Sequence, residues 1–224
     1  IPMALLTAQF ELGYRETITM VEEHPDRLRA YTVFDPNWPD VSLRLVERHL
    51  EHSGFVGVKI HPTIHGVDPT DGRYSEFWAF ADEREAVVLT HSWSPDPAKP
   101  TQNLAVPDRF AAILESFPRL KLILGHCGGR DVGRRLAVEM MQRYANCYAD
   151  LSGDDWPCGE LEWLMTQAPR DRVLYGTDAV WIEPRYVFGH VLRARVSAED
   201  RVAIFRDNAL KLFGPKLQIP LQRS

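Results

Sequence analysis

The chain has 224 residues, of which 45% are hydrophobic and 25% are charged, and its net charge is -5 at pH 7. This composition is typical of a globular protein with one sizeable core, and the scattered basic residues disfavour a nucleic-acid or anionic membrane surface. No apolar run is long enough to span a bilayer and no signal-peptide pattern is visible, so we expect one cytoplasmic domain over residues 1–224.

Short apolar segments rich in β-branched residues alternate with segments of helical periodicity along the chain. This alternation is typical of βα units around a parallel sheet. The predicted strands are Met3–Thr7, Leu28–Phe34, Phe55–His61, Ala86–His91, Leu120–His126, Asn146–Leu151 and Arg172–Thr177. The predicted helices are Tyr14–Glu23, Val41–His52, Ser75–Arg84, Asp108–Ser116, Val132–Tyr144, Gly159–Gln167, Val187–Ala194 and Ala198–Phe213.

The strand count bears on the fold class. A closed parallel barrel typically has eight strands, whereas this pattern predicts one fewer. The sequence begins with Ile1 and Pro2 and not with methionine. We therefore predict an α/β fold of the (β/α)8 TIM-barrel type, with the first strand absent from the given chain and lying before Ile1.

Polar residues at the ends of apolar strands are the central observation. Lys59 and His61 close one predicted strand, His91 and His126 end two others, and Asp178 follows the last. The C-terminal ends of parallel barrel strands open on one face, so these five side chains should converge. Imidazoles with a carboxylate suit divalent cations, which predicts a zinc site, with manganese as the alternative.

Four sequence motifs and the C-terminal segment resemble those of the amidohydrolase superfamily, specifically its branch of aminocarboxymuconate semialdehyde decarboxylase-like proteins. The motifs are Gly54-Phe-Val-Gly-Val-Lys-Ile-His-Pro62, Leu89-Thr-His91, Leu124-Gly-His-Cys-Gly-Gly129 and Tyr175-Gly-Thr-Asp178, and the C-terminal segment is Arg206-Asp-Asn-Ala-Leu-Lys-Leu-Phe-Gly214. Each motif alone is weakly specific for the family, but the occurrence of all of them in this order is specific. The resemblance covers roughly residues 20 to 214.

The resemblance implies roles for the residues at the strand ends. His91 would bind the metal, and His126 would be a second ligand or the catalytic histidine. Asp178 would bind the metal and carry a proton. Lys59 and His61 would hold a substrate carboxylate or line the pocket.

One family feature is absent from the sequence. Members carry a His-x-His pair at the end of the first strand, and none of these 224 residues forms such a pair. Either the first strand precedes Ile1, which we favour, or the metal site has been lost. With His91 and Asp178 as the remaining ligands, tight metal binding would become doubtful.

Several residues just beyond the C-terminal ends of the predicted strands, where the site is expected, allow two interpretations. Trp93 either walls the pocket or packs in a loop, and Arg130 either contacts substrate or caps the next helix. Asp150 and Ser152 either contact substrate or form hydrogen bonds within their loop.

The sequence supports three classes of function on this scaffold. The first is a metal-dependent hydrolase of a C–N or C–O bond in a small carboxylated molecule, and the second is a non-oxidative decarboxylase. The third is a metal-free binding protein, and a phosphoesterase ranks below it. The expected partner is a small-molecule substrate, and a homo-oligomer is compatible with the pattern.

Overall fold

Parallel strands form the centre of the protein. The computed structural model describes residues 10–153, 156–179 and 181–217, and within these ranges six strands pair in sequence order in one parallel sheet. The strands are β1 Ala30–Val33, β2 Phe55–Ile60, β3 Val87–His91, β4 Lys121–Gly125, β5 Cys147–Asp150 and β6 Val173–Leu174.

Helices follow the strands, as the predicted βα alternation requires. They are α1 Phe10–Glu23, α2 Pro39–Leu50, α3 Pro62–His65, α4 Ser75–Glu83, α5 Ala111–Ser116, α6 Asp131–Arg143, α7 Glu160–Gln167, α8 Pro184–Arg193, α9 Ala198–Val202 and α10 Asn208–Phe213. A π-helical segment, Ala203–Asp207, joins α9 to α10. Short 3-10 segments span Gly72–Tyr74, Pro100–Ala105, Pro107–Phe110, His126–Gly128, Arg170–Arg172 and Gly214–Leu217.

The two faces of the sheet have different partners because successive side chains of a strand point to opposite sides. The outer face packs against the helices, with Phe77 and Trp78 of α4 in the same buried cluster; its strand residues are Val58, Ile60, Val88, Leu122 and Leu124. The inner face forms a second cluster, which Leu212 and Phe213 of α10 join; its strand residues are Val87, Leu89, Ile123, Tyr148 and Leu174. The site lies on the inner face.

Most predicted elements are confirmed, and three differ. The predicted helix Asp108–Ser116 is α-helical only over Ala111–Ser116, because a 3-10 segment, Pro107–Phe110, precedes it. The predicted strand Arg172–Thr177 is paired only over Val173–Leu174, because the backbone N–H of Tyr175 donates to the carbonyl of Ile204 and leaves the ladder. The single predicted helix Ala198–Phe213 is divided by the π-helical segment. The predicted strand Met3–Thr7 lies outside the described residues. No helix in the described ranges is long and apolar enough to cross a membrane.

Candidate active site

The register of the sheet brings the predicted site residues into two layers of the inner face. Lys59 is level with Leu89 of β3, which is level with Ile123 of β4, and Ile123 is level with Tyr148 of β5. Two residues further along, His61, His91, Gly125 and Asp150 stand at the C-terminal ends of the same strands. The lower layer is apolar except for Lys59 and the Tyr148 hydroxyl, so Lys59 is a cation placed beneath a polar mouth.

Four rings, those of His61, His91, Trp93 and His126, lie together at the C-terminal ends of the strands and form what we call the ring wall. The ring centres of His61 and His91 are 4.3 Å apart with planes 11° apart, and those of His91 and Trp93 are 6.0 Å apart with planes 8° apart. The His126 ring stands edge-on to both, 5.0 Å from His91 and 5.7 Å from Trp93. Because the His61, His91 and Trp93 rings are stacked on one another, a planar ligand can meet only their edges and the outer faces of the stack.

Lys59 is the positive charge of the site. Burial lowers the pKa of its ammonium from 10.5 to about 8, and attraction from Asp150 and Asp178 opposes this decrease. Because about 8 is still above neutrality, the ammonium is mostly charged at pH 7. A partly buried cation that two carboxylates attract is suited to hold an anionic group of a ligand.

The histidines of the wall are neutral. Burial lowers the pKa of His61 to about 2, and the charge of Lys59 lowers it further. Burial also holds the pKa of His91 well below its ordinary range, with added repulsion from His61 and His126. The Nδ1 atom of His61 accepts the backbone N–H of Ile64 at 3.3 Å, so its ring hydrogen is on Nε2. In this tautomer Nε2 of His61 is a hydrogen-bond donor.

A left-handed segment carries His126. Four consecutive residues, His126 to Gly129, have positive φ values, from 47° at Cys127 to 74° at Gly128. This backbone is costly for the two residues that are not glycine, and such strain persists only where neighbouring contacts hold it. The segment follows β4 directly, so its strain is located at the mouth of the site.

Two serines that sequence reasoning missed hold this segment. The Ser92 hydroxyl donates to the Gly125 carbonyl at 2.6 Å and accepts the Gly128 N–H at 3.0 Å. The Ser94 hydroxyl donates to the Arg130 carbonyl at 2.5 Å and accepts the Gly133 N–H at 3.0 Å. Both serines are nearly fully buried, so these bonds link the loop after β3 to the loop after β4.

Replacing Gly128 with alanine is expected to destabilise the fold by about 2–3 kcal/mol, because a Cβ would lie 2.1 Å from the Gly133 carbonyl oxygen at a φ of +74°. Urea denaturation measures this loss. Gly189→Ala on α8 is the matched control, since its Cβ would meet nothing within 4 Å and alanine should stabilise the helix by roughly 0.5–1 kcal/mol. Equal stability of Gly128→Ala and the wild type would contradict this prediction.

Asp150 and Ser152 form hydrogen bonds with the His126 segment. Oδ1 of Asp150 accepts the backbone N–H of His126 at 3.1 Å and of Ser152 at 2.9 Å, and it also accepts the Ser152 hydroxyl. The Ser152 Oγ lies 2.8 Å from Nδ1 of His126. Of the two interpretations left open by the sequence, the structure therefore shows the hydrogen-bonding one.

The remaining predicted residues lie around this centre. Asp178 has a φ of +54°, and its carboxylate raises the pKa values of Lys59 and His126. Trp93 is part of the ring wall. Arg130 is exposed, with its guanidinium carbon 6.0 Å from the Trp93 ring centre, and its side chain makes no capping bond to α6. Arg130 occupies the N-cap position of α6, as the helix-cap interpretation expects, although its side chain makes no capping hydrogen bond there.

The donors of the site match a divalent cation in kind but not in arrangement. Neutral imidazoles and a carboxylate are suitable ligands. Within residues 10–153, 156–179 and 181–217, however, no three His, Cys, Asp or Glu side chains are grouped so that they could hold an ion. The Nε2 atom of His91 instead lies 3.3 Å from the Gln102 amide nitrogen. The described residues therefore do not fit a complete metal centre.

Comparisons with known proteins agree on one family and one fold. A sequence model of the family described as Amidohydrolase matches residues 9–214. Gamma-resorcylate decarboxylase of Rhizobium radiobacter is 23% identical over 248 residues, covering 91% of this chain and 76% of the relative.

Two solved structures share the architecture. A TIM-barrel protein of Bordetella bronchiseptica superposes with a TM-score of 0.77 at 17% identity, covering 91% of this chain and 73% of that one. A dihydroxybenzoic acid decarboxylase of Polaromonas sp. JS666, solved with manganese and the inhibitor 2-nitroresorcinol, superposes with a TM-score of 0.73 at 21% identity, covering 92% and 76%. The fold is therefore that of a TIM barrel.

Proposed function

Because the chain belongs to the amidohydrolase family, we propose that it is a non-oxidative decarboxylase of small aromatic hydroxycarboxylates. The sequence predicted a hydrolase first and a decarboxylase second. Two of the three similar proteins named above favour the second, since their names are those of a gamma-resorcylate decarboxylase and a dihydroxybenzoic acid decarboxylase. Both reactions use the same scaffold, so the choice must be argued from the site.

The observation that carries the proposal is the ring wall above a buried ammonium. The stacked rings of His61, His91 and Trp93, with the His126 ring edge-on to them, form an aromatic lining against which a planar aromatic substrate can pack. Lys59, one layer below His61, provides a charged hydrogen bond for a carboxylate or a phenolate. A planar acid satisfies both features at once.

The chain's own residues can carry the proton transfers. His126, whose pKa is lowered mainly by burial, takes the proton of a ring hydroxyl. Asp178, a carboxylate in the free protein, takes up a proton from solvent when the anionic substrate binds, and the electron-rich ring then accepts that proton at the carbon that bears the substrate carboxylate. The bond to the carboxylate breaks, its electron pair returns to the ring, and carbon dioxide leaves. His126 returns its proton to the phenolate, and Asp178 is left as the carboxylate of the free protein.

The predicted zinc or manganese remains a prediction, and no step above depends on it. Elemental analysis of protein purified without chelator tests it. About one ion per chain, lost in both His91→Ala and Asp178→Ala, would confirm a metal site that uses these residues. Protein without metal even after loading would contradict it.

A metal-free binding protein is the second candidate. It is favoured by one observation, the absence of a three-ligand group in the part of the chain that the structure describes. Such a protein would retain the ring wall and Lys59 for binding. It would not turn over any substrate.

The test is carbon dioxide release from a panel of dihydroxybenzoates, with and without added manganese or zinc, together with calorimetric binding of 2-nitroresorcinol. We expect release from at least one isomer that carries a hydroxyl next to the carboxylate. Binding of 2-nitroresorcinol without any release under all metal conditions would overturn the decarboxylase and support the binding protein. Hydrolysis of an aromatic lactone or amide without decarboxylation would support the hydrolase.

A further inference from the structure

The hydroxyl of Ser152 connects a carboxylate to the histidine of the site. Ser152 lies two residues beyond the end of β5 and is only 7% exposed. Its Oγ donates to Oδ1 of Asp150 and lies 2.8 Å from Nδ1 of His126. Asp150 ends β5, and His126 follows β4, the strand next to it in the sheet. Three groups from neighbouring strands therefore form one hydrogen-bonded chain.

The direction of these bonds follows from the number of hydrogens. Oδ1 of Asp150 already accepts two backbone N–H groups, those of His126 and Ser152, so this oxygen acts as an acceptor. A serine hydroxyl has a single proton, and that proton is used toward Asp150. Toward His126 the Ser152 oxygen can only accept. The hydrogen of the neutral ring is therefore on Nδ1, and the lone pair is on Nε2.

Two glycines lie against the hydrogen-bonded groups Asp150, Ser152 and His126. Gly176, near the end of β6, is so close that a Cβ there would lie 3.2 Å from both Oδ1 of Asp150 and Cβ of Ser152. Gly153 is also close, since a Cβ there would lie 3.6 Å from Nδ1 of His126. A side chain at either glycine would therefore lie against the hydrogen-bonded groups, which makes glycine suitable at both positions.

We propose that Ser152 is a positioning residue, which, with Asp150, fixes His126 in the tautomer that has its hydrogen on Nδ1 and its lone pair on Nε2. The hydrogen bond made by one ring nitrogen decides the state of the other. This inference rests on the proposed function for its catalytic consequence, because His126 must accept a substrate proton at Nε2. The tautomer itself is a property of the free protein.

Nuclear magnetic resonance tests the tautomer without any substrate. Two-bond proton–nitrogen correlation spectra of the imidazoles, with the His126 signals assigned by their loss in His126→Gln, show which nitrogen carries the hydrogen. We expect Nδ1–H in the wild type and in Ser152→Thr, which keeps the hydroxyl. In Ser152→Ala we expect a mixture of both tautomers. A wild-type ring with its hydrogen on Nε2, or a tautomer unchanged in Ser152→Ala, would overturn the proposal.

Steady-state kinetics are a second test, because a separate effect on kcat and KM would not result from partial unfolding. With the substrate identified by the panel, kcat of Ser152→Ala should fall about 10-fold while KM changes less than about 3-fold, and Ser152→Thr should restore most of kcat. Equal loss in Ser152→Thr and Ser152→Ala would contradict the positioning role. If no substrate is found, the proposed function fails, and the spectra still decide the tautomer.

Discussion

Lys59→Met is expected to lower kcat/KM for an aromatic acid by about 10²–10³-fold while making the folded chain more stable at pH 7. The loss of activity follows from removing the buried cation that would hold the substrate anion, a loss typical of breaking a desolvated charged pair. The gain in stability follows from the pKa of Lys59, which burial lowers from 10.5 to about 8. Activity and stability should therefore change in opposite directions.

The pH dependence of that gain has a definite sign. Between pH 8 and 10.5 the unfolded chain binds the Lys59 proton more tightly than the folded chain, so wild-type stability rises with pH in this window. The cost of the buried charge is fully present below pH 8, at most about 3 kcal/mol, and is lost above pH 10.5. The advantage of Lys59→Met should therefore shrink as the pH rises through this window.

Urea denaturation at pH 7 and pH 10, together with steady-state kinetics, measures both effects. Lys121→Met is the matched control, because Lys121 is also a strand lysine but has a side chain that is 30% exposed and lies 3.7 Å from Glu85. We expect little change in stability or activity for the control. Lower stability of Lys59→Met at pH 7, or undiminished activity, would show that Lys59 does not carry a buried charge for substrate.

His126→Gln is expected to reduce kcat by about 10³-fold, within the range for loss of a general base. Glutamine has a similar length and keeps a polar end near Ser152, but it cannot take up a proton. Its KM, and the affinity for 2-nitroresorcinol, should change less than about 3-fold, because the remaining ring wall is intact. The kcat and KM values for carbon dioxide release measure the effect.

The control for this variant is His52→Gln. His52 is a surface histidine whose Nε2 lies 3.5 Å from Glu22, away from the strand ends of the site. Its kcat should equal that of the wild type. Retention of kcat in His126→Gln within about 3-fold would remove His126 from the proposed mechanism.

Much of the fold followed from local patterns in the sequence. Apolar runs ending in His61, His91 and His126 predicted parallel strands whose C-terminal ends converge, and the ring contacts confirm that these three histidines lie together. The predicted TIM-barrel fold and the resemblance to the amidohydrolase family are also confirmed. These predictions succeeded because strand periodicity and the edge of a parallel sheet are set by residues close in sequence.

The contacts that hold the site were not predictable in the same way. Ser92 and Ser94 act on backbone groups more than 30 residues away, so no local pattern marks them. His126 and Asp178 have positive φ values, and although Asp and His are enriched among such residues, only a small fraction of them adopt this conformation, so residue type alone does not predict it. The Asp150-Leu-Ser152 segment was visible in the sequence, but its two interpretations could be separated only by the position of the His126 ring.

The alternation of the two sheet faces limits how related sequences can vary. Deleting or inserting one residue within β2 would exchange every inward side chain for an outward one, moving Lys59 among the helices and Val58 or Ile60 into the site. Changes of chain length should therefore be tolerated only in the loops. Libraries designed to alter substrate range would keep the strands at fixed length and vary residues 62–73 and 95–107.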